Sequence, residues 1–148
     1  MPFVLLVPLL LFGPVRLLTR SAARRWDDLP RPVWAMGPVV AAVGGMVVAG
    51  AETVAVLAAT DAGAGLALAL WTAHAVLAPV WWWMLLARER FPAAFTVLCA
   101  DWTALAMATA AFAVFTPGTA PLAAASLAWL TWMGASVFGL WQAGGARR

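Results

Sequence analysis

Apolar residues run through this chain in long uninterrupted blocks separated by short polar or Gly/Pro-rich breaks. They show neither the alternation of a half-buried strand nor the single apolar stripe of a soluble helix. The clearest block is Leu66 to Leu86, LALALWTAHAVLAPVWWWMLL, which carries no formal charge. As a helix it measures about 30 Å, enough to cross the hydrocarbon core of a bilayer. The same reading gives spans over residues 1–18, 33–59, 66–86, 93–115 and 122–141. The breaks at Thr60 to Gly65 (TDAGAG) and Thr116 to Pro121 (TPGTAP) read as turns from their glycines and prolines. Thr19 to Pro32 reads as a polar loop, Ala87 to Pro92 as a short charged loop, and Gly144 to Arg148 as a basic tail. The expected fold is an all-α membrane protein, one five-transmembrane-helix bundle over residues 1–148.

Composition agrees. The chain is 65% hydrophobic and 10% charged, with a mean hydropathy of +0.92. A soluble domain carries about 25% charged residues, so lipid is the expected solvent. The basic charge is all arginine, and it is one-sided. Under a five-span count, Arg16, Arg20, Arg24, Arg25, Arg31, Arg88, Arg90, Arg147 and Arg148 share one side, and the second and fourth loops carry none. The positive-inside rule then puts the N-terminus outside and the C-terminus in the cytoplasm. Positive charges follow the first apolar run instead of preceding it, so that run reads as a retained helix and not a cleaved signal. The arginines sit at membrane edges, which speaks against nucleic-acid binding. One cysteine, Cys99, excludes an internal disulfide or a multi-cysteine metal site.

Three ionisable residues fall at membrane depth: Glu52, His74 and Asp101. Such groups are costly in lipid and usually turn inward and pair. They are expected either to tie helices together by a buried hydrogen bond or to serve a ligand or a proton. Their separation gives no metal-ligand spacing, and nothing favours haem ligation by His74 over packing. His74, Ala78 and Trp81 share one helix face, and Ala69 and Ala73 form a small-residue face suited to helix contact. Of the ten tryptophans, Trp26, Trp34, Trp141 and some of Trp81 to Trp83 fit interfacial anchors, and Trp71 lies close to a span end. Trp102, Trp129 and Trp132 lie deeper, with Trp129, Trp132 and Ser136 on one face. An aromatic-lined pocket between helices would suit a flat apolar ligand. No nucleophile triad, phosphate loop or cysteine cluster is present.

With these features in order, the chain resembles the translocator protein family, the tryptophan-rich sensory proteins (TspO/MBR). The first loop ends in W-x-x-L-x-x-P, here Trp26, Leu29 and Pro32. The family's W-x-F-G-P-V-W corresponds to Trp34 through Val40, with Val40 replacing the second tryptophan. Its Q-L-x-L-N-x-x-W corresponds to His74 through Trp81, with His74 in place of Gln and Ala78 in place of Asn. Trp102 matches a fourth-helix tryptophan, and Ala125 through Trp132 match P-Y-L-A-W-x-x-F. The chain has no tyrosine, so the family's proposed C-terminal cholesterol motif is absent.

The resemblance implies a homodimeric bacterial cell-membrane protein whose pocket is capped by the first loop. It implies a planar hydrophobic ligand, a porphyrin or other tetrapyrrole of haem type, or a sterol-like molecule, with no required cofactor. The matching pocket positions are Trp34, Met36, His74, Ala78, Trp81, Trp129 and Met133, and Ala69 and Ala73 would form the dimer contact. A receptor or carrier is the first expectation. A porphyrin-degrading enzyme and a ligand-free regulatory or structural subunit are the alternatives.

Overall fold

The computed structural model describes residues 3–29 and 32–145. They form helices and no strands. A 3-10 turn at Phe3–Leu6 leads into α1 (Val7–Leu17), followed by α2 (Arg20–Asp28), α3 (Pro38–Asp61), α4 (Gly65–Arg88), α5 (Phe91–Phe115) and α6 (Ala120–Gly145). The helices α3 to α6 are each long and apolar enough to cross a membrane. A fifth span arises only if the first helical segment and α2 are counted together, across a bend of 69°.

The first span is therefore shorter than expected from residues 1–18. Phe3–Leu17 covers about 22 Å at helical rise, less than the hydrocarbon core. The segment expected to be a polar loop is instead largely helix. In α2 the sequence RSAARRWDD buries Ala22 and Trp26, four residues apart on one face, and exposes its arginines. The good helix formers Ala and Arg win over the polarity of the segment. The Trp26 indole donates to the Met36 carbonyl at 2.9 Å, so this tryptophan is a buried tie and not an interfacial anchor.

Local chemistry sets the other ends. Pro38 opens α3 after an extended Gly37, and Pro92 lies in the first turn of α5, positions where a missing N–H costs nothing. The second span thus begins at Pro38, later than residue 33. At the end of α4, Glu89 takes a left-handed φ of 51°, and the Arg90 N–H closes onto the Met84 carbonyl at 3.1 Å. Gly63, with φ 65°, makes the turn between α3 and α4. Threonine hydroxyls at 53, 60, 72, 103, 109 and 131 bond back to the carbonyl four residues earlier. That satisfies polar groups locally in apolar surroundings.

The helices form a closed ring in the order α1, α3, α6, α5, α4. Although α3 and α4 are joined by a tight turn, they touch each other less than they touch α1, α6 and α5. Helix α1 fills the gap between them. Glycines permit its close approach: a Cβ at Gly13 would collide with the Trp82 ring, and one at Gly45 with Pro14. Trp26 packs on Trp82, Trp34 on Gly139, and Phe95 on Trp141. Helix α2, the α4–α5 loop and the end of α6 therefore gather at one end of the bundle, where Arg20, Arg24, Arg25, Arg88 and Arg90 also lie. Arg31, Arg147 and Arg148 fall outside the described residues.

Two apolar clusters stack along the ring interior. The one near the arginine end holds Leu17, Trp26, Met36, Trp81, Trp82, Met133 and Leu140. The other is alanine-rich, with Leu10, Val56, Trp71 and Phe112. A buried polar layer separates them.

Candidate functional site

That layer follows from counting along the helices. Glu52 precedes the end of α3 by nine residues (61 − 52), and His74 follows the start of α4 by nine (74 − 65). The two helices are antiparallel across a tight turn, so these residues meet at one depth. His74 and Trp81 lie fourteen and seven residues from the end of α4 (88 − 74, 88 − 81), and Asp101 lies ten from the start of α5 (101 − 91). Asp101 thus stands at a depth between them and reaches both.

The contacts agree. His74 Nδ1 is 2.7 Å from Asp101 Oδ1. The Trp81 indole donates to Asp101 Oδ2 at 2.9 Å. On the other side, His74 Nε2 is 3.2 Å from Glu52 Oε2, and that oxygen accepts the Trp71 indole N–H at 3.0 Å. The result is one chain across three helices: Trp71, Glu52, His74, Asp101, Trp81. Relative exposures are 2% for Glu52, 4% for His74 and 0% for Asp101, so solvent does not screen it. Nε2 and the Glu52 oxygen are close enough to pair but are not aligned, and Nε2 makes no hydrogen bond among the described residues. Ser126 of α6 faces Glu52 from the remaining side.

A cavity of about 40 Å³ adjoins this chain. Its polar wall is Glu52, His74, Asp101 and Ser126, and its aromatic wall is Trp81, Trp82 and Trp129. Leu10 and Pro14 of α1 close it. The Trp81 and Trp82 rings stack at 4.3 Å between centroids. Trp129 lies over Gly44, where a Cβ would collide with its ring. A larger hollow of about 430 Å³ lies on the outside of α5 and α6, lined by Phe95, Leu98, Trp102 and Phe138 among others. It is apolar and holds none of the buried ionisable groups.

Of the pocket positions taken from the family resemblance, His74, Ala78, Trp81 and Trp129 line the inner cavity. Met36 and Met133 are buried in the neighbouring apolar cluster and do not reach it. Trp34 is 51% exposed and packs toward Gly139 at the arginine end. Trp132 is exposed and meets Trp129 edge-on at 6.0 Å, while Ser136, one turn on, is buried. Trp71, read as near a span end, is fully buried. Trp83 does behave as an end residue, exposed and covered by the Arg88 guanidinium at 4.9 Å. Ala69 and Ala73 lie on the exposed face of α4.

Sequence reading singled out Glu52 and Asp101 as buried groups that would pair or serve a ligand or a proton, but did not place them, or Trp71, Trp82 or Ser126, among the pocket positions. The equal distances of Glu52 and His74 from their shared turn were the available signal. Trp82 and Ser126 left no comparable trace, because their place depends on how α1 and α6 close the ring. No protein-family model matches the chain, and no curated protein matches it.

Proposed function

We propose that this chain is an integral membrane receptor or carrier for a planar hydrophobic ligand of the tetrapyrrole class, held inside the helix ring. The single observation that carries this reading is one interhelical cavity walled by Trp81, Trp82 and Trp129 on one side and by Glu52, His74 and Asp101 on the other. Indole faces stack on a flat conjugated ring. Buried carboxylates and an imidazole offer acceptors to ring N–H groups that apolar walls alone cannot supply. The lengths and composition of α3 to α6 favour a bilayer as the solvent. The one-sided arginines favour five spans with the N-terminus outside and the C-terminus in the cytoplasm.

Size sets the mechanism. Ligand sites of this kind occupy about 300–1,000 Å³, against a cavity of about 40 Å³ here. Binding therefore requires α1 to move away from α3 and α4. Helix α1 contributes Leu10 and Pro14 to the wall that would have to give way. The exposed Ala69 and Ala73 offer a close-packing face for a second copy. Ala69→Leu combined with Ala73→Leu is expected to reduce the dimer seen by cross-linking.

The test is to purify the protein from its native membrane in mild detergent and identify what accompanies it by mass spectrometry. A tetrapyrrole near one per chain, lost from Trp129→Ala, supports the reading. Phospholipid alone, in wild type and variant equally, contradicts it.

A further inference from the structure

We propose that His74 Nε2 is a proton-binding site inside the bundle, exchanging its proton with water held in the adjoining cavity. This stands on the geometry of the polar chain and does not depend on the organic ligand. The two ring nitrogens are held differently. Nδ1 lies 2.7 Å from Asp101 Oδ1; with Asp101 ionised the carboxylate accepts, which puts the hydrogen on Nδ1. Asp101 is fixed in turn, because its other oxygen accepts the Trp81 N–H at 2.9 Å. Nothing comparable fixes Nε2. It is buried with no hydrogen-bond partner among the described residues, and its nearest acceptor, Glu52 Oε2, stands 3.2 Å away and off line.

An unpartnered buried nitrogen beside a carboxylate has two distinct states. Without a proton on Nε2, its lone pair faces the Glu52 carboxylate and the two repel. With a proton there, the N–H has an acceptor within reach, and a small rotation completes an ion pair. The titratable groups facing Nε2 are Glu52 from α3 and Asp101 from α5. Helix α6 presents Ser126, and α1 presents Leu10 and Pro14. Helix α4 adds no other titratable group, its Trp71 and Trp81 N–H groups being engaged by Glu52 and Asp101. With both carboxylates ionised and the imidazole protonated, the layer carries one excess negative charge.

The cavity supplies the place of exchange. Its volume of about 40 Å³ exceeds the roughly 10–15 Å³ a cavity needs to hold one water, and its polar wall offers the partners a water needs. In loading, a hydronium in the cavity gives one proton to the Nε2 lone pair and leaves as water. Release reverses the step.

His74 is the only histidine, so ¹⁵N-histidine labelling reports this ring alone. The full chain in lipid nanodiscs is followed by ¹⁵N NMR from about pH 5 to about pH 11, bracketing the ordinary imidazole value near 6.5. The expected result is that Nδ1 stays protonated throughout while the Nε2 resonance moves from its protonated to its unprotonated position. In Glu52→Gln the midpoint is expected to fall by about 1–3 pH units, because the facing negative charge is gone. A ring that keeps one form across the whole range, or that loses its proton from Nδ1, overturns the proposal. So does an unchanged midpoint in Glu52→Gln. Should that variant fail to fold, the wild-type titration alone decides.

Discussion

Asp101 and His74 are 27 residues apart in sequence and 2.7 Å apart at Oδ1 and Nδ1. Their contact, extended by Trp81 on one side and by Glu52 and Trp71 on the other, joins α3, α4 and α5 through a layer with almost no exposure. In such surroundings a polar group without its partner is more costly than no polar group at all.

Removing Asp101 tests how much this layer holds. Asp101→Ala leaves the Trp81 N–H and His74 Nδ1 buried without acceptors. The expected loss is about 3–5 kcal/mol, the range for breaking a buried pair from one side. Asp101→Asn keeps an acceptor for one donor and falls between wild type and alanine. Denaturant unfolding in mixed micelles, followed by tryptophan fluorescence, measures it. A loss for Asp101→Ala below about 1 kcal/mol, the scale of one ordinary hydrogen bond, would show that the layer does not tie the helices.

The seat of α1 rests on Gly13. A Cβ there would overlap the Trp82 ring, whereas a Cβ at Gly50 meets nothing within 4 Å. Trp82 is wedged between Trp26 and Trp81 and has little room to yield. Gly13→Ala is expected to cost about 1–3 kcal/mol by overpacking. Gly50→Ala is expected to be neutral or to gain up to about 1 kcal/mol from helix propensity. Thermal melts of the two variants give the comparison, and equal melting temperatures would mean that α1 is not packed as described.

Topology has a direct test. Reporter fusions after Asp61 and after Gly118 are expected to read as exterior, and fusions after Arg90 and Arg148 as cytoplasmic. The reason is that Arg20, Arg24, Arg25, Arg88 and Arg90 lie at one end of the bundle, and the turns at 62–64 and 116–119 carry no arginine. A cytoplasmic signal after Asp61 would reverse the assignment.

Particular residues show what was legible in the sequence. The long helices were readable because apolar blocks with at most one charged residue have one economical solution in lipid. The polar layer was half readable. Glu52, His74 and Asp101 stood out by their chemistry, but their meeting depends on helix rotation, which an all-round apolar helix does not encode in its periodicity. Trp71 and Trp26 show the same limit. Both looked like end residues by position, yet Trp71 turns inward to Glu52 and Trp26 to the Met36 carbonyl. The helix α2 was hidden by its charge. Its amphipathic spacing of Ala22 and Trp26 was present but gave only one short face. Ring order was not legible, because α1 reaches the gap between α3 and α4 through glycine contacts made far along the chain.

The central claim is that Trp81 and Trp129 wall a site for a flat conjugated ligand. It is tested most directly by titrating the purified wild-type protein with a porphyrin and following quenching of its tryptophan fluorescence. Loss of stacking on one ring is expected to weaken binding by roughly 2- to 12-fold, from about 0.5–1.5 kcal/mol per aromatic pair. Trp129→Ala should weaken it at least that much, since buried area goes as well. Trp81→Phe keeps a ring and should bind more tightly than Trp81→Ala. Trp141→Ala, removed from the cavity and packed on Phe95 and Phe138, should bind as wild type does. Saturable quenching with that order of affinities is the predicted result. No saturable binding by wild type, or an equal loss in all three alanine variants, would contradict it.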